Sequence, residues 1–132
     1  MKYLLTILLS VVLISFASCS DDGGSNPESP DLQYVGNWVG ETSTDSVAIQ
    51  VSNVDNNAVI TKYALRVRTS MWGGTVTQRT TASRTQGFTT VSNGAFVLND
   101  GNTTFEGQFT AANTMTLQYV YGDVTGSMTV TK

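Results

Sequence analysis

The sequence predicts an all-β fold: a small antiparallel β-sandwich or up-and-down β-barrel of about eight or nine strands, behind a signal peptide and a flexible tether. Three observations predict it. Apolar and polar residues alternate in run after run beyond residue 34. Asn-Gly and Asp-Gly pairs separate those runs at short intervals. Thr, Val, Gly, Asn, Phe and Tyr dominate the same region, and no window sustains a helical apolar period.

The 132 residues leave room for one ordinary domain. Residues 1–18 are expected to be a signal peptide. Lys2 supplies a basic start, Tyr3 to Phe16 an apolar run, and Ala17 and Ser18 the small residues before a cut. That run is shorter than the roughly 20 residues a membrane-spanning helix needs. Cys19 follows it at once and is the only cysteine, so no internal disulfide can form. Residues 19–33 are expected to be a tether, because Ser, Asp, Gly, Asn and Pro cannot bury apolar area.

The stretch Ser15-Phe16-Ala17-Ser18-Cys19 resembles the lipobox of bacterial lipoproteins, with Phe16 where that family usually has Leu. The resemblance implies a diacylglycerol on the Cys19 thiol, cleavage before it, and acylation of the new terminus. Two or more chains hold a protein stably on a membrane, at about 0.8 kcal/mol per buried CH₂. Ser20-Asp21-Asp22-Gly23-Gly24 resembles the acidic signal that sends Bacteroidota-type lipoproteins to the outer face of the outer membrane. The implied location is the outer membrane, on the cell surface, with its periplasmic face as the alternative.

Residues 34–132 are expected to form the β domain. Val47, Ile49 and Val51 alternate with polar or small neighbours. Val59, Thr61, Tyr63, Leu65 and Val67 share one face, and Lys62, Arg66 and Arg68 the other. Phe105, Gly107 and Phe109 alternate, then Met115, Leu117, Tyr119 and Tyr121, then Val124, Gly126, Met128 and Val130. One apolar and one Thr-rich face is the pattern of antiparallel strands over a single core. Reversals are expected at Asp55-Asn56-Asn57, Trp72-Gly73-Gly74, Asn93-Gly94, Asp100-Gly101-Asn102, Ala112-Asn113 and Gly122-Asp123. Gly107 and Gly126 fall on apolar faces, where a large neighbour is needed to fill the gap. Trp38 and Tyr119 are the expected fillers.

Tyr34-Val35-Gly36-Asn37-Trp38-Val39-Gly40 resembles the Gly-x-Trp opening strand of lipocalin-like and avidin-like barrels, in which the tryptophan plugs one end. With Thr104-Phe105-Glu106-Gly107-Gln108-Phe109-Thr110 it also resembles a recurring small β domain of bacterial surface proteins, mostly of unassigned function. The further tryptophans of the avidin pocket are missing, so avidin-like binding does not carry over. Asp45-Ser46-Val47 resembles the three-residue O-glycosylation acceptor of Bacteroidota-type exported proteins, and strand entry explains Asp-Ser equally well.

The chain has no histidine, so no Ser-His or Cys-His nucleophile can be assembled. Zinc, copper and haem lose their usual ligands. The acidic turns at Asp55 and Asp100 carry one carboxylate each and are explained by turn chemistry. A non-catalytic protein without cofactor or metal is expected.

The charge distribution is uneven. The chain is acidic overall, with a formal net charge of −3. Yet Lys62, Arg66, Arg68, Arg79 and Arg84 fall in one segment that contains no Asp or Glu. A reversal near Trp72 sets Arg79 across from Arg66 or Arg68, an unfavourable pairing unless Glu41 or Glu106 comes alongside or water screens it. Lys62, Arg66, Arg68, Trp72 and Arg79 are the candidate ligand-facing residues, and their guanidinium groups suit carboxylate, sulfate or phosphate. Trp72 either caps the core or stands out as a stacking platform. Nucleic acid is not an expected partner for an acidic chain.

Three functions compete: a binding or accessory module for an anionic glycan or another envelope protein, a lipocalin-like carrier of a small apolar molecule, and a structural envelope component. The carrier needs an interior cavity, and a solid cluster of Trp38, Phe105, Phe109, Leu117 and Tyr119 would leave it none.

Overall fold

The computed structural model describes residues 27–71 and 73–132. The expected signal peptide, Cys19, the acidic pair behind it and Trp72 lie outside the described residues.

A 3-10 helix, Pro30–Tyr34, leads into nine strands. These are β1 (Gly36–Glu41), β2 (Ser46–Val54), β3 (Asn57–Met71), β4 (Gly74–Ser83), β5 (Thr89–Thr90), β6 (Ala95–Asp100), β7 (Thr103–Ala111), β8 (Thr114–Tyr121) and β9 (Val124–Thr131). They form one antiparallel sheet in the order β4-β3-β2-β1-β9-β8-β7-β6, with β5 added beside β3. The sheet curls into a half-barrel. Two four-stranded meanders, β1–β4 and β6–β9, meet where the first strand pairs with the last, at Val39 and Thr131. The free edges are β4 and β6.

The turns form where short-range chemistry demands them. Asn93 and Gly94 both take positive φ (52° and 72°), as a two-residue hairpin turn requires. Asp55 and Asn56 do the same at the β2–β3 reversal.

Alternation carries the inward side chains into one core. Val47, Ile49 and Val51 meet Leu65, Tyr63 and Ile60 from β3, and Phe105, Leu117, Met115 and Val130 from the other half. The sequence pattern fails at one place. Gln50 pairs with Lys62 and Val51 with Ile60, so Thr61 is an extra residue, a β-bulge. The bulge reverses the parity. Before it the inward residues are Ala58 and Ile60, not Val59 and Thr61. Val59 is buried from outside, where the chain at Gly87 folds against it. The buried Thr61 hydroxyl is satisfied by Ser52 Oγ at 2.7 Å.

The glycine gaps are filled as follows. Tyr119 covers Gly126, as expected, but Phe96 rather than Trp38 covers Gly107. In each case a side chain at the glycine would enter an aromatic ring. Trp38 instead closes one end of the half-barrel. It is fully buried, its Nε1 donates to the Tyr34 carbonyl at 2.8 Å, and its ring meets the edge of Phe109 at 4.9 Å.

Residues 30–33, expected to belong to a flexible tether, form part of the 3-10 helix. Asp31, expected to be solvated, is buried. Its carboxylate accepts the amides of Asn93 (3.0 Å) and Gly94 (2.8 Å), docking the helix onto the β5–β6 turn. Tyr34 then stacks on Phe109 at 4.1 Å. Lys132 Nζ reaches back to the Gln33 carbonyl at 2.8 Å. The chain therefore enters at the end formed by the helix and the β2–β3, β5–β6 and β7–β8 turns, where Ser29 N bonds Asn56 O. The β3–β4 reversal lies at the opposite end.

Candidate functional site

The outer face of β1–β4 is built from three rows set by strand register. Asn37, Gln50, Lys62 and Ser83 face one another in sequence across the four strands. Val39, Ala48, Ala64 and Thr81 form the next row. Glu41, Ser46, Arg66 and Arg79 form the third. Side chains alternate along each strand, so all twelve point away from the core. The middle row is short and largely apolar, and Val39 is 56% exposed. It makes the floor of a trough between two longer polar rows. One groove of about 510 Å³ runs over it toward Lys62 and Gln50. A second, of about 320 Å³, continues toward Glu41, Arg66 and Arg79.

The register decides the open question about Arg79: it stands opposite Arg66, while Arg68 faces Thr77. Two guanidinium groups across one pair repel. Glu41 offsets part of this, accepting from Arg66 Nη2 at 3.3 Å. That pair is exposed, with side-chain exposures of 37% and 70%, and such pairs contribute little. Arg66 Nε is buried and has no partner among the described residues. Lys62 and Arg79 form no ion pair among the described residues.

Arg84 leaves the group. Its guanidinium donates to Asp100 Oδ1 at 2.9 Å and lies 4.5 Å from the Phe88 ring. The Tyr63 hydroxyl donates to the other Asp100 oxygen at 2.8 Å. Burial, then this hydrogen bond, raises the Tyr63 hydroxyl above its ordinary value. Asp100 thereby latches the β6 edge to the β3–β4 side of the open seam. So Lys62, Arg66, Arg68 and Arg79 share the outer face, Arg84 holds the seam, and Trp72 lies outside the described residues.

A second element supports the site from below. Asp45 lies in the β1–β2 loop, held by Thr42, whose Oγ1 accepts the Asp45 amide at 2.9 Å. Its buried carboxylate accepts the Arg68 amide at 3.1 Å and, on the other oxygen, the Tyr119 hydroxyl from β8. Burial works to raise the Asp45 carboxyl. The hydrogen bonds from Tyr119, Arg68 and Thr44, with the nearby Arg66 charge, outweigh burial and hold it below its ordinary value. Burial, then the hydrogen bond to Asp45 and its charge, push the Tyr119 hydroxyl far upward. From the sequence alone, Asp45 is placed only in the Asp45-Ser46-Val47 stretch at a strand entry. The available signal was Thr42-Ser43-Thr44-Asp45, a hydroxyl three residues before an acid at a reversal.

Ser46, of the Asp45-Ser46-Val47 stretch, stands in the charged row between Glu41 and Arg66. Glu106 points outward on the other half and does not join this face. No group of three or more metal-ligating side chains occurs among the described residues. Trp38, Phe105, Phe109, Leu117 and Tyr119 all belong to one buried hydrophobic cluster. No family model, curated protein or solved structure matches the chain.

Proposed function

We propose that the protein is an exported, lipid-anchored, non-catalytic module of the outer membrane surface, and that its β1–β4 outer face binds an anionic glycan. The observation that carries the reading is the register opposing Arg66 to Arg79 beside a short apolar trough, with Lys62 on the far wall. Lys62 and Arg66 lie four residues apart on β3, which spans about 13 Å at a strand's rise. A polymer crossing the strands along the trough would find cations on both flanks and small side chains beneath it. Each acidic group that enters relieves the Arg66–Arg79 repulsion, so like charges that weaken the free fold strengthen the complex.

The test uses alginate as acidic probe and dextran as neutral control, with binding followed by calorimetry. Alginate is expected to bind and dextran not, and affinity is expected to fall as salt rises. Arg66→Ala, Arg68→Ala and Arg79→Ala together are expected to weaken alginate binding about thirtyfold, three charge-assisted contacts being lost. Unchanged binding in that triple variant would remove this face as the site.

The anchor rests on Cys19 and the apolar run before it. Cys19→Ala is expected to abolish incorporation of labelled palmitate and to release the protein from the membrane fraction. Labelling that survives the substitution would refute the anchor.

A further inference from the structure

Away from the trough, a second concave region lies at the opposite end from the chain entry. The far part of the β3–β4 hairpin and the β8–β9 turn enclose a cleft of about 600 Å³. Thr69, Ser70 and Gln78 line it from the hairpin, and Tyr121, Asp123 and Thr125 from the other half. The two walls come from strands far apart in the sheet, so the hollow arises from the curl of the half-barrel.

Its chemistry differs from that of the trough. Among the described residues, no lysine or arginine lines it. Arg68, the nearest cation on β3, lies on the outer face, one position before Thr69. The described lining residues offer one aromatic ring, one carboxylate, one amide and four hydroxyls, the Tyr121 phenol included. Tyr121 is half-buried and packs against the core edge, so its ring is held in place. Gln78 Nε2 is 3.5 Å from Thr69 Oγ1, at the limit of a hydrogen bond, which leaves the amide largely free to pair with a ligand. Asp123 is exposed and forms no ion pair among the described residues.

A fixed ring beside a carboxylate and an amide matches the surface of a pyranose. The C–H face of a sugar packs on the ring, while adjacent hydroxyls donate to the carboxylate and bridge the amide. An anion is disfavoured, because it would meet Asp123 with no cation among the described lining residues to offset the repulsion. A purely apolar ligand would leave the carboxylate and amide without partners. The volume falls within the range of small-ligand pockets, about 300–1,000 Å³. We propose that this cleft is a binding site for a neutral sugar, one or two pyranose units in size. It is independent of the anionic-glycan reading of the trough.

Saturation-transfer NMR on the full chain tests it, with glucose, galactose, mannose, fucose and N-acetylglucosamine as probes and glucuronate as the charged comparison. At least one neutral sugar is expected to give a saturable signal, and glucuronate none that depends on the cleft. Tyr121→Ala is expected to weaken binding about tenfold and Tyr121→Phe to leave it nearly intact, since the ring supplies the contact. The double substitution Gln78→Ala and Asp123→Ala is expected to weaken it similarly without loss of the folded circular-dichroism spectrum. Removal of Arg66, Arg68 and Arg79 is expected to change nothing here. No signal from any neutral sugar overturns the proposal. So does binding that persists in the Gln78→Ala, Asp123→Ala variant. Loss of alginate binding alone would leave this site standing.

Discussion

Trp38→Ala is expected to lower folding stability by about 4 kcal/mol, the upper part of the range for truncating a fully buried aromatic. The ring closes the entry end of the half-barrel, and several contacts depend on it at once. Phe109 loses its edge contact, the Tyr34 carbonyl loses its indole donor, and Lys132 loses the ring 5.5 Å from its ammonium. Small domains are stable by only about 5–15 kcal/mol, so this loss alone brings the fold near its limit. Trp38→Phe keeps most of the packing and removes the hydrogen bond, and is expected to cost about 1–2 kcal/mol. Urea denaturation of the two variants separates the contributions. A Trp38→Ala protein as stable as the parent would show that the helix and Phe109 close that end without it.

Asp45→Ala is expected to cost about 3 kcal/mol, although the side chain is small and begins a strand. The substitution strands the buried Tyr119 hydroxyl and takes the carboxylate partner from the Arg68 amide. Because Arg68 belongs to the outer face, binding at the trough should weaken with it. The same pair sets the pH range of the fold. Asp45 is held below its ordinary value of 3.8, so its contribution is present above that pH and disappears as the pH falls through the lowered value. Tyr119 is raised above its ordinary value of 10.0, so its contribution is complete below that pH and is lost as the pH rises toward the raised value. Thermal melts from pH 2 to pH 12 are therefore expected to show a plateau with a fall at each end. In Asp45→Ala the acid fall should shrink, and an unaltered acid limb would disprove the assignment.

Much of the architecture was legible because alternation is a local signal. The runs at Val47, Phe105, Met115 and Val124 lie on strands with the expected faces inward, and Asn93-Gly94 and Gly122-Asp123 turn where expected. What could not be read depends on partners distant in sequence. The bulge at Thr61 breaks parity without a glycine or proline to announce it. Asp31 sits in a polar stretch and becomes buried only because the Asn93-Gly94 turn offers two amides. Arg84 reads as a member of a basic cluster until Asp100, on the far edge of the sheet, draws it away. The basic face itself was half legible: period two placed Lys62, Arg66 and Arg68 together, but only the register of the reversal set Arg79 against Arg66. The cleft beside Tyr121 had no signal at all, since its walls meet through the curl of the sheet.

The clasp between β1 and β9 has a consequence for how the chain matures. Each meander pairs neighbours along the chain, so either can begin to assemble as soon as its own residues are available. The junction between them cannot. Val39 waits for Thr131, and the indole at the base waits for Lys132. Until Thr131 is in place, the first strand keeps a bare flank.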